Sequence, residues 1–144
     1  MDNKQLLERL KKEKACTEAI EWANGMDLKT AWNTCERADW MLWYMCRTDM
    51  ATERERIHVI CDCAATALKY VPKGEDRPRL AIEATRRYAD NPTEKNKVAK
   101  ATAWAAARAA ARAAAWTAPW TAAGAAAHKN MCNIIREKIK VGDL

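Results

Sequence analysis

Residues 27–47 read DLKTAWNTCERADWMLWYMCR, and Leu28, Ala31, Trp32, Cys35, Leu42, Trp43 and Cys46 share one apolar stripe when each residue is turned about 100° around a helix axis. The spacing predicts a single helix over 27–47 that supplies the strongest core face in the chain. Asp39 lies between Cys35, Trp32 and Trp43 in the middle of that stripe, so it is expected to be a buried structural acid. A buried carboxylate left unpaired is costly or is driven to protonate, so a basic partner or several backbone donors must meet it. Arg77 and Arg79, on the turn into a later helix, are the candidates, and the pair would be either an internal buckle between two helices or a ligand-site acid. Arg37, Trp40 and Tyr44 fall off the stripe. That face is either covered by a second layer of helices or exposed as an aromatic patch with one arginine, the composition of an interface hot spot.

Helical signals continue on both sides. Cys16, Ala19, Ile20 and Ala23 line one face of a helix that Asn24-Gly25 should stop, and Leu6, Leu7 and Leu10 form its beginning or a separate turn. Thr52 to Glu55 has the spacing of a capping box, after which Ile57, Ile60, Cys61, Ala64, Leu68 and Val71 repeat at helical spacing until Pro72. Lys73-Gly74-Glu75-Asp76 is a polar turn, Asp76 can cap, and Pro78 suits the first turn of a helix holding Leu80, Ala81, Ala84 and Tyr88. Asp90-Asn91-Pro92 ends it, and Thr93 begins the last helical region. In that region 18 of the 29 residues from 99 to 127 are alanine, Pro119 should kink it, and Met131, Ile134, Ile135 and Ile139 give its second part an apolar stripe. The fold expected is all-α: a compact bundle of five or six helices, one domain over residues 1–144, with a long Ala-rich C-terminal segment kinked near Pro119.

Composition supports this. The 144 residues suit one domain, and 49% hydrophobic with 31% charged residues permits a core. Thirty alanines with only four glycines and four prolines favour helices and exclude an all-β fold. Serine is absent and histidine occurs only twice, which removes the parts of most hydrolase schemes. His58 with Cys61 or Asp62 has suitable side chains but no motif around it, so the chain is read as non-enzymatic. The six cysteines (16, 35, 46, 61, 63 and 132) are expected to serve as small apolar side chains. Cys61 and Cys63 point about 200° apart on a helix and cannot share an ion, and His58 with Cys61 supplies only two ligands, so neither metal nor cofactor is expected. No signal-type apolar stretch follows Met1, and the one long apolar run is broken by Arg108 and Arg112, so a cytoplasmic protein without a membrane role is expected.

The net charge of +6 is uneven. Residues 1–94 hold 16 basic against 17 acidic side chains, whereas residues 95–144 hold nine against two. The excess is either a solvated surface or a match for an anionic partner: nucleic acid, a nucleotide, or an acidic protein face. Within it, Lys100, Trp104, Arg108, Arg112, Trp116 and Trp120 recur every fourth residue, drifting about 40° per step on a helix. Tryptophans at this spacing commonly belong to a core. Arginines between them do not, unless acids such as Glu83 or Glu36 meet them, so Trp104, Arg108, Arg112 and Trp116 are candidates for binding phosphate or carboxylate and stacking on rings.

Three segments together resemble a family of predicted immunity proteins from bacterial polymorphic toxin systems, with similar proteins in phages and prophages. They are Ala15-Cys16-Thr17-Glu18-Ala19 with Trp22 and the run from Ala31 through Trp43; Glu75-Asp76-Arg77-Pro78-Arg79-Leu80-Ala81-Ile82-Glu83-Ala84; and the Ala-rich C-terminal helix. The first two carry Trp, Cys, Arg and Asp in order; the third matches by composition. The resemblance implies an all-helical protein that neutralises an effector by binding it. Immunity proteins against nucleases are commonly acidic, and this basic chain departs from that, which points to an acidic protein effector or to a small phosphate-bearing ligand. Under the second alternative the chain is a phage counter-defence protein that sequesters a nucleotide signal through Arg and Trp side chains. Nucleic-acid binding through the basic C-terminal third is a weaker reading, since no recognition-helix motif accompanies it.

Overall fold

The structure, a computed structural model, describes residues 1–113 and 122–142, with side chains within 1–105 and 126–142. Among these residues every regular element is helical: α1 (Asn3–Lys12), α2 (Thr17–Ala23), α3 (Leu28–Thr34), α4 (Ala38–Arg47), α5 (Glu53–Ala65), a 3₁₀ turn (Leu68–Tyr70), α6 (Arg77–Asp90), α7 (Glu94–Ala113) and α8 (Ala122–Lys138). The all-α expectation holds, with eight α-helices among the described residues where five or six were expected. The surplus arises because the two N-terminal helices are each split. Pro119, the expected kink, lies outside the described residues. The chain groups into two compact units, one made of Met1–Ala51 with His128–Leu144 and the other of Thr52–Ala127.

In the first unit, α1 begins with a capping box in which the Asp2 side chain accepts from the Gln5 N–H and the Gln5 side chain accepts from the Asp2 N–H. It stops at Lys14, whose φ of +61° is left-handed. Asn3 then donates to the carbonyls of Ala23 and Met26 at 3.0 and 2.7 Å, closing the C-terminal end of α2 where Gly25 turns the chain at φ +86°. Asp27 caps α3 through the Thr30 N–H at 2.6 Å.

The expected helix over 27–47 is interrupted at residues 35–37, and the reason lies on α8. In an unbroken helix the carbonyls of Trp32 and Cys35 would accept from the N–H groups of residues 36 and 39. Here both accept from the Arg136 guanidinium, Nε reaching the Trp32 oxygen at 2.9 Å and Nη2 the Cys35 oxygen. The Ala38 N–H, which would have bonded Thr34, instead donates to His128 Nδ1 at 3.2 Å. Lys129 pairs with Glu36 at 2.9 Å, and the Trp32 indole N–H donates to the Ile139 carbonyl at 3.3 Å. Side chains of α8 thus replace three rungs of the helical ladder, while Cys132, Ile135 and Ile139 bury its apolar face.

The interruption resets the helical phase. Leu28, Ala31 and Trp32 of α3 are buried as expected, but in α4 the buried residues are Ala38, Met41, Tyr44 and Met45. Tyr44 moves inward, Cys46 is exposed and Asp39 turns out to solvent. The expectation that Asp39 is a buried acid is therefore corrected: it stands in the first turn of α4 with its side chain 48% exposed.

The second unit follows local signals more closely. Thr52 and Glu55 form the expected capping box. α5 nevertheless ends at Ala65, before Leu68 and Val71, and buries Val59, Cys61 and Cys63 while leaving Ile60 exposed. α6 starts beside Pro78 and buries Ala81, Ile82 and Ala84, with Leu80 exposed and no capping bond from Asp76. α5 and α6 run antiparallel, joined by Asp62–Arg86 at 2.6 Å and by Asp90, which meets both His58 and Arg54 at 2.8 and 2.7 Å. α6 and α7 are likewise antiparallel: the Trp104 indole donates to Thr85 Oγ1 at 2.7 Å, and the Lys100 ammonium lies 4.0 Å over the Tyr88 ring.

No disulfide links the described residues. Burial pushes the thiols of Cys35 and Cys61 up and carries Cys63 to about 11, so these three are protonated at neutral pH and act as apolar side chains. Among the described residues no helix is long and apolar enough to cross a membrane, and no group of three or more His, Cys, Asp and Glu could hold a metal ion.

Candidate functional site

Beside the break at 35–37 the first unit has a recess, a cavity of about 500 Å³ among α1, α2, α3 and α4. That volume falls in the range of roughly 300–1,000 Å³ typical of sites for small organic groups. Leu6 and Leu10 of α1, Ala19 and Trp22 of α2 and Trp32 of α3 form much of its wall, and Trp40, Trp43 and Tyr44 of α4 complete it. Five aromatic side chains therefore face one space. Trp22 and Trp40 meet at 5.7 Å between ring centroids with a 55° tilt, and Trp32 meets Tyr44 at 6.5 Å and 57°. Both pairs are tilted contacts of the kind that fix ring orientation.

Lys14, Glu18, Arg37 and Asp39 bring formal charges to the lining, two positive and two negative. Arg37 Nε and Nη2 donate to the two Asp39 oxygens at 2.9 and 2.7 Å, a forked pair closed within three residues because the backbone is extended at Arg37. The same guanidinium lies 4.5 Å over the Trp40 ring and 4.0 Å from Glu18. Its hydrogen bonds hold the Asp39 carboxyl below the usual carboxylate range, so the pair stays ionised across neutral pH. Cation, ring and carboxylate thus order one another, and Arg37 is left without surplus charge for an anion.

Of the residues singled out in the sequence, this recess gathers Arg37, Trp40 and Asp39. The partner that Asp39 has is Arg37, two residues away, which corrects the expected pairing with Arg77 or Arg79. Arg77 forks onto Glu75, holding that carboxyl at about 2, and Arg79 bridges Asp76 and Glu83 at 3.3 and 2.6 Å. Both arginines are satisfied by acids of their own turn and helix. Trp104 is half-buried, with its indole N–H engaged by Thr85. Arg108 and Arg112 stand one turn apart in α7, their side chains outside the described residues, and Trp116 lies outside them as well. His58 faces Asp90, and Asp62 faces Arg86.

The sequence already groups Tyr44 with Arg37 and Trp40 on one face; what it does not show is that Trp22 and Trp43 line the same recess. A usable signal existed in Trp22, which follows Ala19 by three residues on the apolar face of α2. Nothing local marks the break that turns α4 toward it, since no glycine or proline stands between Leu28 and Arg47.

The fold and the recess define an all-helical chain with an aromatic, charge-balanced pocket. No family model matches the chain, and neither a curated protein nor a solved structure matches it.

Proposed function

We propose that this chain is a non-enzymatic binding protein of the immunity type, acting in the cytoplasm, that neutralises an effector in bacterial or phage conflict by seating part of it in the aromatic recess. The observation that carries this reading is the stack of Trp22, Trp40 and Arg37 at the cavity, with Asp39 locking the arginine. Tryptophan, tyrosine and arginine in a recessed cluster are the residue types that dominate binding energy at protein interfaces. Their mutual contacts lower the entropy lost on binding, because the anchors are already held. The test is co-expression with the product of the adjacent gene. Restored growth and a complex of defined mass in native mass spectrometry are expected, with both lost in Trp40→Ala; a toxic neighbour that remains toxic and forms no complex contradicts the reading.

The second reading, sequestration of an anionic nucleotide signal, is supported by the continuity of α7 through residue 113, which sets Arg108 and Arg112 one turn apart. It expects stabilisation by cyclic di- or trinucleotides in a thermal-shift screen, abolished when both arginines become alanine. The self-paired state of Arg37, Arg77 and Arg79 favours the effector reading over this one.

A further inference from the structure

We infer that the recess in the first unit is a site for an uncharged planar aromatic ring, presented as a side chain of the protein partner; the source of the ring rests on the effector reading, whereas the ring chemistry rests on the cavity alone. Three observations carry it. First, the walls are flat and apolar: Trp22, Trp32, Trp40, Trp43 and Tyr44 line one cavity with Leu6 and Leu10. A ring entering such a space gains tilted or offset aromatic contacts beyond those of an aliphatic chain. Second, the charges at the cavity cancel. Arg37 is forked onto Asp39 and approaches Glu18, and Lys14 is the remaining cation. An anion would have to displace a bidentate carboxylate from Arg37, and a cation would approach Arg37 and Lys14; a neutral group meets neither cost. Third, about 500 Å³ exceeds what one small aliphatic side chain would fill and admits a bicyclic ring with part of the backbone bearing it.

The probes are indole, adenosine and AMP, titrated into the full chain by calorimetry. Indole should bind saturably, with a Kd of about 1 mM or below, the strength reached by fragment-sized ligands in a preformed apolar pocket. Trp40→Ala should weaken it by about tenfold or more, the loss expected when a stacking partner is removed. Because that variant removes a structural ring, Ala15→Trp is the second: Ala15 lines the cavity and is half-exposed, so the larger side chain fills the space from its edge and should abolish binding with an unchanged melting temperature. Tyr70→Phe, at an exposed ring in the other unit, should leave the affinity unaltered. AMP should bind no more tightly than adenosine.

A flat indole titration of the folded chain overturns the inference, as does AMP binding at least about tenfold more tightly than adenosine, which would assign the recess to anions. These failures leave the effector reading to its own co-expression test, since the part of an effector seated in the recess need not be an aromatic ring. Indole binding beside a neighbouring toxin that is never neutralised would overturn the effector reading and the partner side chain as source, and keep the ring site.

Discussion

Each of the two units is held together internally by its own kind of contact. In the first, side chains of α8 reach 90 to 104 residues back along the chain to take over backbone groups of α3 and α4, as Arg136 does with Trp32 and Cys35 and His128 with Ala38. In the second, antiparallel neighbours are joined by side chain to side chain: Asp62–Arg86, Asp90 with His58 and Arg54, and Trp104 with Thr85. Helices of the second unit keep their ladders and local caps. Those of the first exchange part of a ladder for distant donors and acceptors, and the recess lies beside that exchange. The recess lies beside a stretch, residues 27–47, that does not run straight.

The difference predicts a hierarchy of losses. Arg136→Ala leaves two carbonyls at the break without their charged donor, and should destabilise the protein by about 2–4 kcal/mol in urea unfolding, as expected for hydrogen bonds to a charged group that are removed on one side. Arg86→Ala breaks a partly exposed ion pair in the second unit and should cost about 0.5–1 kcal/mol, since solvent screens such pairs. Equal losses would show that α8 is not what holds the break.

Asp39→Ala is the sharper discriminator. If residues 27–47 were one helix, its partner would be left alone in a core and the loss would be large. With Asp39 in the first turn of α4 and half in solvent, the loss should be about 1 kcal/mol or less. A larger loss would restore the unbroken helix.

The smallest effect expected is at Glu75. Hydrogen bonds from Arg77 hold its carboxyl at about 2 against an ordinary 4.5, so any stability it contributes is present above pH 4.5 and disappears as pH falls through 2. Titration followed by NMR should find Glu75 near 2 in the native chain and near its ordinary value in Arg77→Ala. An unmoved titration would mean that the fork is not populated in solution.

How far the sequence speaks for itself follows the same division. The Thr52–Glu55 box, the stop at Gly25 and the start of α6 beside Pro78 depend on residues within a few positions of each other, and each stands where local chemistry puts it. The buried face of α8 at Ile135 and Ile139 follows from its period as well. The interruption after Thr34 depends on Arg136, which no window around Cys35 contains. A helical phase carried across it puts Asp39 and Cys46 inward and Tyr44 outward, the reverse of their observed exposure. Arg37 and Trp40 were legible as an aromatic-plus-arginine pair because they lie three apart. Trp22 enters the same site only through tertiary packing, whereas the fork of Arg77 onto Glu75 is local, spanning two positions of the turn.

All of this turns on the backbone at residues 35–37, and Cα chemical shifts of the isotope-labelled chain read it directly. Helical shifts over Leu28–Thr34 and again over Ala38–Arg47, separated by extended values at Cys35 and Arg37, are the expected result. Unbroken helical shifts through 28–47 would contradict it, returning Asp39 to the core face and closing the recess.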